Sequence, residues 1–201
     1  MKVYLTRHGQ TEWNLAGKMQ GRLNSNLTTL GEDQARWLGK SLESTPIDVI
    51  CSSSSGRAYD TAKLIKGDRA IDIEQFDDLQ EVYLADWQGM LHDDIEALDA
   101  DQFNSYWRAP EKFRAGEKES FEELIERGRT VFNEIIRVHD GKDILIVSHG
   151  VLLKAIFAYI KSLEIKEFWS GPFMQSTCLN VLEITNGEIV IVEECNITHY
   201  E

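Results

Sequence analysis

Cysteine is scarce in this chain: Cys51, Cys178 and Cys195 are three among 201 residues, with no C-x-x-C pair. An odd, dispersed set supports neither a disulfide framework nor a zinc site, and suits structural thiols in a reducing compartment. Proline is equally rare, at three residues, and no Pro/Gly/Ser linker, internal repeat or low-complexity tract divides the sequence. Long apolar runs are missing too. The longest, Val151 to Ile160, is interrupted by Lys154 and is too short to span a bilayer. The opening MKVYLTRHG contains no apolar signal core, so a cytoplasmic location is expected. Positive charge is in deficit: 21 Lys and Arg face 34 Asp and Glu, a formal charge of −13. That balance speaks against nucleic-acid and anionic-membrane partners, which are recruited by positive fields. It does not exclude a small anionic ligand, which senses the local field.

What is present points to one α/β domain spanning residues 1–201. At this length roughly 70% of the unfolded chain's surface can be buried without disulfides or metals. Val3-Tyr4-Leu5, Ile47-Asp48-Val49-Ile50 and Ile144-Leu145-Ile146-Val147 have the β-branched, apolar character of buried strands. Helical patterns follow each of them. Thr29 with Glu32, and Ser120 with Glu123, have capping-box spacing at two helix starts. Val151–Ile160 is apolar almost all round and predicts an interior helix. Cys178–Ile184 and Glu188–Cys195 flank Thr185-Asn186-Gly187, a hairpin signal. This order predicts a three-layer α/β/α sandwich with a mainly parallel sheet and an antiparallel edge. Residues 88–118, polar, aromatic and irregular, are expected to form an inserted flap.

In open parallel sheets, ligands sit beyond the carboxyl ends of the strands. Those ends deliver Arg7-His8-Gly9, then Ser52 to Arg57, then Ser148-His149-Gly150. Two imidazoles and two guanidiniums would therefore meet in one crevice of an acidic protein. Arginines suit bidentate grip on phosphate oxygens, and helix N-termini add donors. A histidine there can carry a phosphoryl group covalently. A leaving alkoxide also needs a proton. Residues 74–101 hold ten acidic side chains and no Lys or Arg. Most of that stretch is expected to be a solvated face, and Glu81 is its candidate acid. Acidic neighbours would keep Glu81 protonated and the pocket arginines would ionise it, so both states stay open.

LTRHGQTEWN (residues 5–14) resembles the signature of the histidine phosphatase superfamily, the phosphoglycerate mutase-like group. The similarity continues in order through MQGRLNSNLTTLG, SSSSGRAYDTA, LQEVYLADWQG, KESFEELIERG and IVSHG. Length and the LADWQG, YW-x-x-P and SHGVLLK segments are most similar to the short, broad-specificity bacterial phosphatases of that group. The resemblance implies that His8 is the nucleophile, phosphorylated during turnover. Arg7 and Arg57 would clamp the phosphoryl oxygens, His149 would complete the electrostatic pocket, and Glu81 would exchange protons with leaving group and water. Asn14, Gln20, Gly21 and the backbone of Gly150 would line the substrate pocket. No metal or organic cofactor is implied, and the ligand would be a small phosphate ester.

The chain departs from the family pattern at Ser54, where proline is common, and at Ala85 and Gln88, where Gly and Glu are common. Two rivals to a phosphatase are a phosphoglycerate mutase, against which the short length argues, and a non-catalytic phospho-ligand-binding protein, against which the intact reacting residues argue. His92, His139 and His199 have no such context and are expected at the surface. Phe103, Tyr106, Trp107 and Phe113 are expected to pack under the flap, with a pocket wall as the alternative. Arg108, Lys112, Arg114 and Lys118 could hold a second anionic group or be solvated. Gly39-Lys40-Ser41 lies within a predicted helix and lacks the earlier glycine of a phosphate-binding loop.

Overall fold

The structure, a computed structural model, describes residues 1–200. Six strands form one sheet: β1 (Lys2–Arg7), β2 (Val49–Ser53), β3 (Asp72–Phe76), β4 (Ile144–Ser148), β5 (Leu179–Thr185) and β6 (Glu188–Asn196). Their spatial order is β3-β2-β4-β1-β5-β6. β3, β2, β4 and β1 run parallel, and β5 and β6 add an antiparallel edge. The hairpin turns at Asn186 and Gly187, both with positive φ, which is the backbone that an Asn-Gly pair tolerates.

Among the described residues, seven helices cover the sheet and its end: α1 (Glu12–Leu15), α2 (Thr29–Ser41), α3 (Gly56–Lys66), α4 (His92–Leu98), α5 (Ala100–Arg108), α6 (Phe121–Val138) and α7 (Gly150–Lys161). Alternate strand residues divide the core. Tyr4, Ile50, Leu145 and Val147 pack with Ala35, Leu38, Ala58 and Ile65 of α2 and α3. Val3, Leu5, Cys51, Ile144 and Ile146 face Leu124, Phe132, Leu152 and Ile156 of α6 and α7. Both faces of β2 and β4 are fully covered, which explains the consecutive apolar residues Val49–Cys51 and Ile144–Val147. The result is the expected α/β/α sandwich.

Several local expectations shift. The cap of α2 is Thr28, whose hydroxyl accepts from the Gly31 N–H at 3.0 Å; Thr29 is the first helical residue. Glu32 pairs instead with Arg36, one turn on. Ser120 and Glu123 do form the capping box at α6. Residues 88–118 contain α4 and α5, so this region is helical as well as irregular. β3 was not anticipated at all.

Two close approaches hold the first loop. A Cβ on Gly9 would collide with the Gly31 carbonyl, and one on Gly31 with the Gln10 carbonyl. Only glycine lets the end of β1 lie against the start of α2. Ala85 is the opposite case: it adopts φ +43° with a side chain. Such backbone costs an L residue roughly 1–2 kcal/mol. Ala85→Gly is therefore expected to raise stability by about 0.5–1 kcal/mol in urea unfolding, with the slope unchanged.

Candidate active site

Three parallel strands end at one point. β1 ends with Arg7 and is followed by His8, β2 ends with Ser53, and β4 leads into His149, the residue before α7. Arg57, in the first turn of α3, reaches the same point and is 1% exposed. Its guanidinium donates to the Gly21 carbonyl at 2.8 Å, the Leu23 carbonyl at 2.7 Å and His8 Nε2 at 3.2 Å. Asn24 Oδ1 accepts from the Arg57 backbone N–H at 2.9 Å, supplying a cap that Ser55 does not. Arg7 donates from Nη1 to the Met174 carbonyl at 2.9 Å, and its buried Nε has no partner. An orphaned buried guanidinium donor is a costly feature unless an anion arrives. Burial pulls Arg57 down to about 10, so it remains a cation at neutral pH.

His8 is 2% exposed, and its Nδ1 lies 2.7 Å from the Gly9 carbonyl. A carbonyl can only accept, so Nδ1 carries the proton and Nε2 keeps its lone pair. His149, fully buried, stacks edge-on against His8 with centroids 5.2 Å apart. Its Nε2 lies 2.8 Å from Ser53 Oγ and its Nδ1 has no partner. Burial first, and then Arg57, push both imidazoles well below the ordinary histidine value. Both are neutral in the free site. Unfolded imidazoles take protons below about pH 6.5, whereas these two resist. Stability is thus expected to be complete above that value and to fall as pH drops below it. Urea unfolding at pH 7 and pH 5 checks this: the loss should shrink in His8→Ala/His149→Ala.

Glu81, also buried, does something that spacing could not reveal. Its Oε2 accepts from the Val151 N–H at 3.1 Å, and Oε1 accepts from Leu152 at 3.0 Å and from Val82 at 3.0 Å. His149 gives α7 no side-chain cap, so a carboxylate 70 residues away satisfies its first turn. Asn14 Oδ1 is occupied by the Thr11 N–H and hydroxyl, which leaves its NH₂ available to a ligand. Gln20 is more inward: its NH₂ donates to Thr11 at 2.7 Å and its carbonyl accepts from Ser25 at 3.1 Å. Gly21 has φ +52° and abuts Gln88, so its backbone carbonyl is aimed at Arg57.

These groups border one cavity of about 440 Å³, lined by Arg7, His8, Asn14, Gln20, Gly21, Arg57, Glu81 and Gly150 together with apolar residues. His149 lies behind His8 and does not line it. The family model of the histidine phosphatase superfamily, branch 1, matches residues 3–197.

The chain belongs to that superfamily.

Phosphoserine phosphatase 1 of Hydrogenobacter thermophilus is 29% identical, covering 85% of this chain and 81% of its own. The adenosylcobalamin/α-ribazole phosphatase of Salmonella typhimurium is 28% identical, covering 93% and 92%. Among solved structures, Bacillus stearothermophilus YhfR superposes with a TM-score of 0.97 at 38% identity, covering 100% and 99%. With that membership and phosphatase relatives, the chain is a phosphoric monoester hydrolase.

The outer part of the phosphatase cavity revises several readings. Tyr106 and Trp107 are wall residues, whereas Phe103 and Phe113 pack behind them around Trp87. Arg108, Lys112 and Arg114 are exposed and do not line the cavity, and Lys118 is tied to Asp86 at 2.7 Å. His92 is half-buried against Phe103 and Trp107 and lines the cavity. His139 is buried at 4% exposure beside Glu74, and His199 is half-buried near Thr177. None of the three is a free surface histidine. Asn24, Lys154 and the 169–174 segment, which lends the Met174 carbonyl to Arg7, were not anticipated. No sequence pattern marks 169–174. Among the described residues, no group of three or more His, Cys, Asp or Glu is placed to hold a metal ion, and no helix is long and apolar enough to cross a membrane.

Proposed function

We propose that this hydrolase works through a phosphohistidine on His8, with small phosphorylated metabolites as substrates and broad tolerance for the alcohol portion. One observation carries the reading: a buried, neutral imidazole keeps its Nε2 lone pair at a guanidinium-lined cavity, because Nδ1–H is tied to the Gly9 carbonyl. Arg57 Nε–H holds that lone pair in the free site. An incoming phosphoryl oxygen takes the donor and releases Nε2 for attack on phosphorus. The P–O ester bond breaks as the N–P bond forms. Arg7, Arg57 and the backbone N–H of Gly150 neutralise the equatorial oxygens without a metal. His149 supports the pocket from behind His8, where burial and then Arg57 hold its imidazole well below the ordinary value.

Glu81, entering as the carboxylic acid, gives its proton to the leaving alkoxide; the resulting carboxylate then takes a proton from water as the water oxygen bonds to phosphorus and the N–P bond breaks. Products are the alcohol and inorganic phosphate, and His8 returns to its neutral form. The relatives' named activities, on phosphoserine and on α-ribazole phosphate, involve different alcohols, which supports breadth.

Hydrolysis in the presence of glycerol tests this reading. A common phosphoenzyme forgets its leaving group, so the ratio of phosphate released to phosphate transferred to glycerol should be constant across several aryl phosphates. A ratio that varies with the aryl group would mean direct attack by water.

A further inference from the structure

One buried charge in the cavity has no part in the phosphoryl chemistry. Lys154 is 7% exposed, on α7, and with Gly150 and Val151 it lines the cavity. Positions i and i+4 share a helix face, so Lys154 lies about 6 Å farther along the axis than Gly150. Gly150 itself sits against the phosphate clamp: a Cβ there would be 3.5 Å from Arg7 Nε. Lys154 is therefore one helical turn farther along the cavity wall than the residue that abuts the clamp.

Lys154 Nζ donates to the Ser170 carbonyl at 2.6 Å, which uses one of three N–H groups. Its acidic neighbour Glu194 is taken by Lys161 at 2.7 Å. Burial lowers the Lys154 pKa, as expected for a cation without a matching anion. A second polar group in the same wall is also incomplete. Tyr106 is 1% exposed, lines the cavity and has no partner for its hydroxyl. Buried unpaired polar groups cost stability unless a ligand completes them.

We infer that Lys154 is a specificity-determining residue that selects phosphate esters whose alcohol portion carries a carboxylate. A single ammonium matches a single negative charge. A second phosphate would bring two charges to one ammonium that already gives one N–H to the Ser170 carbonyl. The inference rests on the phosphatase reading and adds the class of leaving group. Tyr106, on the same cavity, offers its unpartnered hydroxyl to the substrate as well.

The test compares 3-phosphoglycerate with glycerol 3-phosphate, which differ in a carboxylate replacing a hydroxymethyl group. The protein should favour the acid by roughly tenfold or more in kcat/KM, the scale of one buried charge-assisted hydrogen bond. In Lys154→Met that ratio should collapse toward one through KM for the acid, and in Lys154→Arg most of it should return. Loss of packing in the methionine variant would lower both substrates alike and leave the ratio standing; a standing ratio overturns the inference. So does the absence of any preference in the unaltered protein. Failure to hydrolyse either ester, or any aryl phosphate, would instead remove the phosphatase reading itself.

Discussion

His8→Ala is expected to lower kcat for aryl phosphates by about 10⁴–10⁶-fold, the range seen when an essential nucleophile is deleted. The effect should be this large because His149, the imidazole packed against His8, cannot replace it. His149 is fully buried behind His8, with Nε2 engaged by Ser53, and does not line the cavity. Binding should survive, since Arg7 and Arg57 keep their carbonyl anchors and do not depend on His8 for position. Inorganic phosphate should therefore still protect the variant against thermal unfolding. Added imidazole should restore part of the turnover, because the removed ring leaves a hole of its own shape. Full activity in the variant, measured after excluding contaminating enzyme, would contradict the nucleophile assignment.

Glu81→Gln should have the second largest effect, and an uneven one. A general acid contributes typically 10²–10⁴-fold where the leaving group is a poor one. Alkyl esters should lose activity on that scale, whereas nitrophenyl phosphate, whose leaving phenolate needs little help, should lose far less. The carboxylate also accepts N–H bonds from Val151 and Leu152, so the amide would turn an NH₂ toward one of those donors. A stability loss of about 1 kcal/mol, the usual scale of a lost helix cap, is expected alongside. The two consequences separate cleanly. A loss confined to capping would lower all substrates equally, and the slope of log kcat against leaving-group pKa would not steepen.

Much of the candidate site was legible because its residues sit at the ends of strands whose burial writes apolar runs. Leu5 before Arg7-His8, Ile50 before Ser53, and Val147 before His149 marked the crevice from composition alone. Elements without that signature stayed hidden. β3 reads Asp-Ile-Glu-Gln-Phe, an edge strand with largely solvated side chains and no apolar run. The adjacent threonines 28 and 29 offer the same local chemistry, and the tight approach of Gly31 to Gln10 is a tertiary fact that the spacing rule ignores. Glu81 as the cap of α7 joins residues 70 apart, beyond any local pattern. His139 looked exposed at the end of α6, yet it is buried beside Glu74 of β3, the strand that went unseen. Lys154 was noticed only as an interruption of an apolar helix. Its position over the cavity needed the helix's rotation, which a helix apolar on nearly every side does not reveal.

The central claim is that phosphorus becomes bonded to His8 Nε2 before water reaches it. Rapid-quench turnover of ³²P-labelled aryl phosphate, followed by peptide mapping, tests this directly. The account predicts label on the peptide containing His8, stable in alkali, lost in acid, and discharged at a rate no slower than kcat. Steady turnover without labelled enzyme under single-turnover conditions, or label on a different residue that is kinetically competent, would contradict it.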